Sequence, residues 1–130
     1  MNRAEINAFC ATLPATAHVV QWGNSDVWKV GGPTGKVFAV VGWSDGKDAV
    51  SFRVTDLAFE ILPDSPGIRP APYLASRGMK WVQVFREPGV DKMGLSDTSL
   101  QDHLRLSYAT ISKGLSKKKR AEMGIPEPDL

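Results

Sequence analysis

KVFAVVGWSDGKDAVSFRV, residues 36–54, predicts two antiparallel strands joined by a tight turn. Its first part, 36–43, is rich in β-branched and aromatic residues, which favour strands. Asp45-Gly46 is a dipeptide typical of the primed turns in hairpins. After it, Val50, Phe52 and Val54 alternate with small or polar residues. We therefore expect one face of the second strand to pack on a core and the other face to be wetter.

Similar runs lie on both sides of this hairpin. Residues 18–22 and 26–30 have strand composition and are separated by Gly23-Asn24-Ser25, a turn cluster. Residues 80–86 give the last convincing strand. Because hairpin-length turns join the first four strands, we predict an antiparallel meander.

Amphipathic helices are predicted at both ends of the meander. In residues 3–13 the apolar residues recur at helical spacing, and Pro14 marks the end. A short helix capped by Thr55 or Asp56 follows the fourth strand. Ser96 or Asp97 begins a long helix. Its apolar stripe comprises Leu100, Leu104, Tyr108, Ile111 and Leu115, of which Leu104, Tyr108 and Ile111 should be largely buried.

Together these elements predict an α+β fold. We expect an antiparallel sheet of about five strands, with the first and the long last helix packed on the same face. The chain of 130 residues suits one domain, residues 1–122, followed by a frayed tail, 123–130. Residues 63–79 contain four prolines and are expected to form an ordered loop.

Composition limits the location. Cys10 is the one cysteine, so no internal disulfide is expected, and a lone cysteine fits a reducing compartment. Glu5 and Asn7 interrupt the apolar run that a signal peptide would need. No apolar stretch approaches the roughly 20 residues of a membrane helix. We therefore predict a cytoplasmic protein without membrane attachment.

No residue pattern indicates catalysis, a metal or a cofactor. His18, His103 and Cys10 are the nitrogen and sulfur ligands, and they lack the paired spacing of zinc sites. Residues 31–36, GGPTGK, lack the spacing of a phosphate loop and precede a strand. Cys10 lies on an apolar stripe, which favours a core position over a nucleophile. The sequence therefore predicts a binding protein rather than an enzyme.

Positive charge is concentrated near the C-terminus. Residues 1–104 sum to −1, residues 105–120 to +6 and residues 121–130 to −3. Such a local field attracts polyanions, and DNA is the predicted partner. Cations at the C-terminal end of the long helix would also complement the helix dipole. The candidate phosphate contacts are Lys117, Lys118, Lys119 and Arg120, aided by Lys113 and Arg105, with Lys47 and Arg53 as secondary candidates.

Aromatic residues stand beside cations at three places in the strands: Trp28-Lys29, Phe52-Arg53 and Lys80-Trp81. This pairing suits base stacking combined with phosphate contact. It equally suits a sheet whose aromatic rings fill the core while the cations extend to solvent, and we favour this second interpretation.

The motifs in order resemble the MmcQ/YjbR family over roughly residues 3–120. They are WKV at 28–30, GKVFA at 35–39, the strand at 50–54, PAPYL at 70–74, WVQV at 81–84 and a helix at 104–115 that carries Ser107-Tyr108. The resemblance implies a compact α+β domain similar to the bacterial frataxin-type architecture, and a double-wing mode of DNA binding. Iron delivery would need an acidic ridge on the first helix, which has only Glu5.

Two hypotheses follow. The first is a non-enzymatic DNA-binding domain with weak, mainly electrostatic phosphate contacts. The alternative is a protein-interaction or small-ligand module that uses the open face of the sheet and the proline-rich loop. It predicts a concave, apolar pocket near Tyr73 and Trp81 that holds few cations.

Overall fold

A six-stranded antiparallel sheet forms the centre of the computed structural model, in the order β1-β2-β3-β4-β6-β5. The structure describes residues 1–43 and 48–128, so the predicted Asp45-Gly46 turn lies outside the described residues, as does Lys47. The strands are β1 (Thr16–Gln21), β2 (Ser25–Val30), β3 (Lys36–Val41), β4 (Val50–Arg53), β5 (Ile68–Pro70) and β6 (Trp81–Val84). The predicted meander corresponds to β1 to β4.

The sixth strand, β5, lies in the proline-rich segment that was expected to be a loop. It is three residues long and pairs with β6 at the edge of the sheet. Pro70 is tolerated there because an edge strand leaves one row of backbone groups without a strand partner. The predicted count of about five strands was therefore one too low.

Two helices cover one face of the sheet, as predicted. The helices are α1 (Arg3–Ala11), α2 (Asp56–Ile61), α3 (Asp97–Ser112) and α4 (Lys117–Glu122). Ile6 and Cys10 of α1 and Leu100 and Leu104 of α3 belong to one core cluster. That cluster also contains Val50, Phe52 and Val54, the alternating residues around β4. We call this the inner face and the opposite side the outer face.

The end of the long helix differs from the prediction. α3 ends at Ser112, and Ser116 caps a separate short helix, α4. Leu115 lies between them and is still buried, which explains why it continues the apolar spacing. Leu104 and Tyr108 are buried as expected, whereas Ile111 is only half-buried. Ile125, in the segment expected to fray, is 4% exposed and belongs to the inner core, so the chain packs at least that far.

Ser107 connects α3 to the centre of the sheet. Its hydroxyl donates to the carbonyl oxygen of Phe38 at 2.7 Å and accepts from the backbone N–H of Arg53 at 3.0 Å. The neighbouring Tyr108 donates to the carbonyl oxygen of Pro14 at 2.6 Å. These bonds fix the position of α3 across β3 and β4, because a shift of the helix would leave buried polar groups unpaired.

Asp26 connects α1 to β1 and β2. Its carboxylate accepts hydrogen bonds from Arg3 at 2.6 Å and Asn7 at 2.8 Å, and His18 Nε2 lies 2.7 Å from it. Burial raises the pKa of Asp26, but the hydrogen bonds from His18, Asn7 and Arg3 and the Arg3 charge together lower that pKa to about 2. The folded protein therefore favours the ionised carboxylate.

Replacing Asp26 with asparagine should lower the free energy of unfolding by about 2 kcal/mol at pH 7, because the folded state stabilises the charged form. A carboxylate whose pKa is depressed contributes fully above its unfolded pKa of about 3.9 and loses that contribution as the pH falls toward 2. The difference between wild type and Asp26→Asn in urea unfolding should therefore shrink between pH 5 and pH 2. Asp64→Asn, at an exposed position, is the control and should change stability by less than about 0.5 kcal/mol. A wild-type advantage that is unchanged down to pH 2 would contradict the assignment.

Candidate functional site

The outer face carries a second, smaller apolar cluster of Val27, Val40, Ala71 and Trp81. Ala71 begins the connection from β5 to β6, and its N–H donates to the carbonyl oxygen of Trp81 at 2.9 Å. Leu74, further along this connection, packs against the same cluster. This connection therefore rises beside the outer face and forms one wall of a concave surface.

Two adjoining cavities lie on this surface. A cavity of about 950 Å³ includes Tyr73, and one of about 510 Å³ includes Trp81. Both are lined by Trp22, Leu74 and Met79, so we treat them as one outer groove. The first is further lined by Gly23, Gly42, Trp43 and Arg77; the second by Lys36, Val37, Val40, Arg53, Thr110, Ile111 and Gly114.

The two residues predicted for a ligand pocket thus lie in neighbouring parts of the groove. Tyr73 is 58% exposed, whereas Trp81 is 3% exposed and forms part of the buried base. The expected apolar lining is present, but the groove also holds Arg77, Lys36 and Arg53. Among the described lining residues there is no carboxylate. The groove therefore combines apolar surface with positive charge.

The accessible aromatic residues of the groove are not those paired with cations in the strands. Trp28, Phe52 and Trp81 are all buried, which confirms the core interpretation of the three pairs. The accessible rings are Trp22, Trp43 and Tyr73, which we call the aromatic trio. Sequence reasoning missed the two tryptophans, although Trp22 precedes Gly23 and Trp43 follows Gly42. A large ring beside a turn glycine was the available signal.

The cations at one end of the groove lead toward α4. A side chain at Gly114 would contact the Lys36 methylenes, so Lys36 lies against the end of α3 beside Lys113. Lys36 and Lys113 are both exposed. The secondary candidate Arg53 lines the groove and donates through Nε to the carbonyl oxygen of Val54 at 3.2 Å. Two exposed cations, Lys36 and Lys113, therefore lie where the groove meets the segment that leads to α4.

Lys117, Lys118 and Lys119, which we call the lysine cluster, form the first turn of α4. They do not extend the C-terminal end of α3, so the helix-dipole explanation is wrong for that helix, although Lys119 also falls in the last turn of the short helix α4. Cations are disfavoured at a helix N-terminus, where the dipole is positive. Lys117 and Lys118 therefore gain nothing from the dipole of α4, and Lys118 forms only an exposed pair with Glu122 at 4.0 Å.

The other predicted phosphate contacts differ in their freedom to bind. Arg120 is largely buried, donates to the carbonyl oxygen of Leu115 and pairs with Glu127 at 3.3 Å. It holds α4 against the following segment and is engaged within the protein. Arg105 pairs with Asp102 at 3.1 Å and lies over the ring of Phe9, away from the groove.

Burial shifts the pKa of two titratable groups on the inner face, Cys10 and His103. Burial raises the pKa of the Cys10 thiol to about 12, which keeps it protonated and unreactive. Burial also lowers the pKa of His103, partly offset by the charge of Asp102, and its ring stacks on Phe52. Across residues 1–43 and 48–128, no three His, Cys, Asp or Glu side chains are grouped to hold a metal ion.

The sheet and its two inner helices form an α+β domain. The YjbR family model matches residues 11–110, so the chain belongs to that family. The matched stretch is shorter at both ends than the resemblance seen in the sequence, which covered roughly residues 3–120. It contains most of the outer groove but stops before the lysine cluster.

Two solved structures are similar to the chain. One is a Deinococcus radiodurans protein with a DUF419 domain, with a TM-score of 0.79 and 25% identity, covering 97% of this chain and 90% of that one. The other is a protein from Pseudomonas syringae, with a TM-score of 0.62 and 17% identity, covering 85% of this chain and 99% of that one. They support the α+β fold. No curated protein matches the chain.

A membrane-spanning helix is absent from the part of the chain that the structure describes: none of its helices is both long and apolar enough.

Proposed function

We propose that this domain is a non-enzymatic nucleic-acid-binding protein, with its contact surface running from the outer groove to the lysine cluster. The observation that carries the proposal is the position of Lys36. It lines a groove whose described residues include no carboxylate, and it lies against Gly114, next to Lys113. This position supports a positive surface that runs from the groove to the basic segment.

The charges suit a phosphate backbone better than a single buried anion. Lys36, Lys113, Lys117 and Lys118 are exposed and are distributed over β3, the end of α3 and the first turn of α4. Exposed lysines contact phosphates as point charges and carry no base specificity of their own. Binding of this kind releases condensed counterions and weakens steeply as salt rises. We therefore expect low sequence specificity and strong salt dependence.

A titration of the full chain against duplex DNA, single-stranded DNA and RNA at 50 and 200 mM salt tests the proposal. Lys36→Gln should reduce the slope of log affinity against log salt by about 0.9 for duplex DNA and about 0.7 for single strands. Lys92→Gln removes one exposed charge outside the groove and is the matched control, with a slope close to wild type. Absence of measurable binding to all three nucleic acids at 50 mM salt would refute the proposal.

The apolar lining supports a second candidate, a small-ligand or protein-interaction module. Both cavities have volumes in the range typical of ligand pockets. If this candidate is correct, uncharged ring compounds or apolar peptides should bind with little salt dependence. Saturable quenching of tryptophan fluorescence by such a compound, without nucleic-acid binding, would favour it.

A further inference from the structure

We infer that the aromatic trio, Trp22, Trp43 and Tyr73, stacks on unpaired bases, so that the domain binds single-stranded nucleic acid in preference to duplex. This inference rests on the proposed function and names its substrate class. It uses a different part of the groove from the lysines that carry that proposal. The trio lines the larger cavity, and Lys36 lines the smaller one.

The three rings form a continuous row with two exposed ends and a half-buried middle ring, Trp43. The ring centroids of Trp22 and Trp43 are 5.4 Å apart, and those of Trp43 and Tyr73 are 6.1 Å apart. Trp22 is 48% exposed and Tyr73 is 58% exposed. Rings that serve the core are covered, as Trp28 and Phe52 are. The rings of the trio instead present flat apolar surface to solvent. Nucleic-acid bases of any identity can stack on such a surface.

The backbone holds two of these rings in unfavourable conformations. Trp22 has φ of 49° and Tyr73 has φ of 70°, in the left-handed region that bulky residues rarely adopt. Tyr73 is also the centre of a three-residue turn in which the Leu74 N–H donates to the Pro72 carbonyl oxygen at 2.8 Å. A γ-turn with positive φ is the rare and strained form. Strain of this kind clusters at binding sites, and both residues meet in one cavity.

The backbone of Trp43 is held in place by a hydrogen bond from β6. Its carbonyl oxygen accepts a hydrogen bond from Nε2 of Gln83 at 2.7 Å, and Gln83 is fully buried in β6. Oε1 of Gln83 in turn accepts from Arg69 at 2.8 Å. The backbone beside the middle ring is therefore anchored to the sheet, which limits the loss of conformational freedom on binding.

Arg77 places a cation at the same row of rings. Its guanidinium lies 5.4 Å from the centre of the Tyr73 ring and donates to the Tyr73 hydroxyl at 2.8 Å. Arg77 remains exposed, so part of its guanidinium can face a ligand. An aromatic row with an adjoining arginine suits a base followed by its phosphate, whereas an uncharged peptide would use only the rings.

A duplex cannot use this row, because its bases are already stacked and paired. Extruding a base from a duplex requires free energy to unpair and unstack it, whereas the bases of a single strand are already unpaired. Single strands have accessible ring faces along their length. The expected preference is therefore for single-stranded over duplex nucleic acid of equal length.

The test compares oligothymidylate with an abasic strand of the same length, which keeps the phosphates and lacks the bases. Wild-type protein should bind oligothymidylate more tightly. Trp22→Ala and Tyr73→Ala should each weaken oligothymidylate binding by about 5- to 150-fold, the range for loss of one stacked base. Neither should affect the abasic strand. Trp22→Phe keeps an aromatic face and should recover much of the affinity, and Leu57→Ala, an exposed apolar position outside the groove, should change nothing.

The outcomes separate this inference from the proposed function. Equal binding of both strands, unaffected by Trp22→Ala but weakened by Lys36→Gln, overturns base stacking and leaves nucleic-acid binding intact. No binding of any strand overturns both. Sedimentation that shows a dimer dissociated by Trp22→Ala would assign the trio to a second copy of the chain and overturn the inference. Urea unfolding of each variant checks folding, and no loss is expected because both rings are largely exposed.

Discussion

Replacing Lys117, Lys118 and Lys119 together with alanine should make nucleic-acid binding much less dependent on salt. Each phosphate contact contributes about 0.9 to the slope of log affinity against log salt on duplex DNA, so the slope should fall by up to about 2.7. Over the fourfold rise from 50 to 200 mM salt, wild-type affinity should then decline about 40-fold more than that of the variant. Fluorescence anisotropy with a labelled oligonucleotide measures both slopes.

The variant should fold normally. Ser116 caps α4 by accepting a hydrogen bond from the backbone N–H of Lys119, and that group is unchanged by the substitution. Alanine favours helices, and removing Lys117 and Lys118 from the N-terminal end of α4 relieves unfavourable interaction with the helix dipole. The matched control replaces the same three lysines with arginine, which keeps the charge and should keep the slope. Identical slopes for wild type and the alanine variant would move the phosphate contacts to the groove alone.

Phe52→Ala should lower the free energy of unfolding by about 3–5 kcal/mol. Phe52 is fully buried on the inner face, between its β-sheet neighbours and α3, and its ring stacks on His103 with 5.7 Å between centroids. Truncation removes its contacts with both layers and leaves a cavity that the sheet cannot collapse around. The urea midpoint of unfolding measures the loss.

Leu57→Ala is the control for Phe52→Ala. Leu57 is 66% exposed on α2, so its truncation should cost less than about 0.5 kcal/mol. A loss below about 1 kcal/mol for Phe52→Ala would contradict the packing of α3 against β4 and, with it, the assignment of the inner and outer faces.

The strands and inner helices were predictable because their signals are local. Alternation at Val50, Phe52 and Val54 placed these side chains on the inner face, and helical spacing placed Leu100 and Leu104 there too. β5 was missed because three residues ending in Pro70 are too few to show alternation. The break after Ser112 was missed because Leu115 stays buried and preserves the spacing.

A pocket near Tyr73 and Trp81 was predicted, but the full outer groove with Trp22 and Trp43 was not, because it is assembled from distant loops. Trp22 follows β1, Trp43 follows β3 and Tyr73 lies in the connection from β5 to β6. Antiparallel pairing between β2 and β3 places Trp22 and Trp43 at the same end of the two strands. Tyr73 joins them from the connection between β5 and β6, which pair with each other. No local spacing records this meeting. The charge of the lysine cluster was visible in the sequence, but its place in the first turn of α4 required the structure.

The proposed surface has two parts, the outer groove and the lysine cluster, and the family match separates them. The matched stretch, residues 11–110, contains all three rings of the trio and Lys36, but not the lysine cluster. The residues proposed for base stacking and for the Lys36 contact therefore lie within the stretch that matches the family model. The lysine cluster adds charge from outside it. Variants in the two halves should accordingly have independent and roughly additive effects on affinity.

Nitrogen-15 NMR of the full chain, titrated with oligothymidylate at low salt, locates the binding surface residue by residue. The indole N–H signals of the four tryptophans give a report from each face. We expect the Trp22 and Trp43 indole signals and the backbone amides around Lys36 and residues 113–119 to shift together. The Trp28 indole, which donates to Asn7 at 2.9 Å under α1, should not move. Shifts confined to α1 and the exposed side of α3, or no shifts at millimolar oligothymidylate, would contradict nucleic-acid binding by the outer groove.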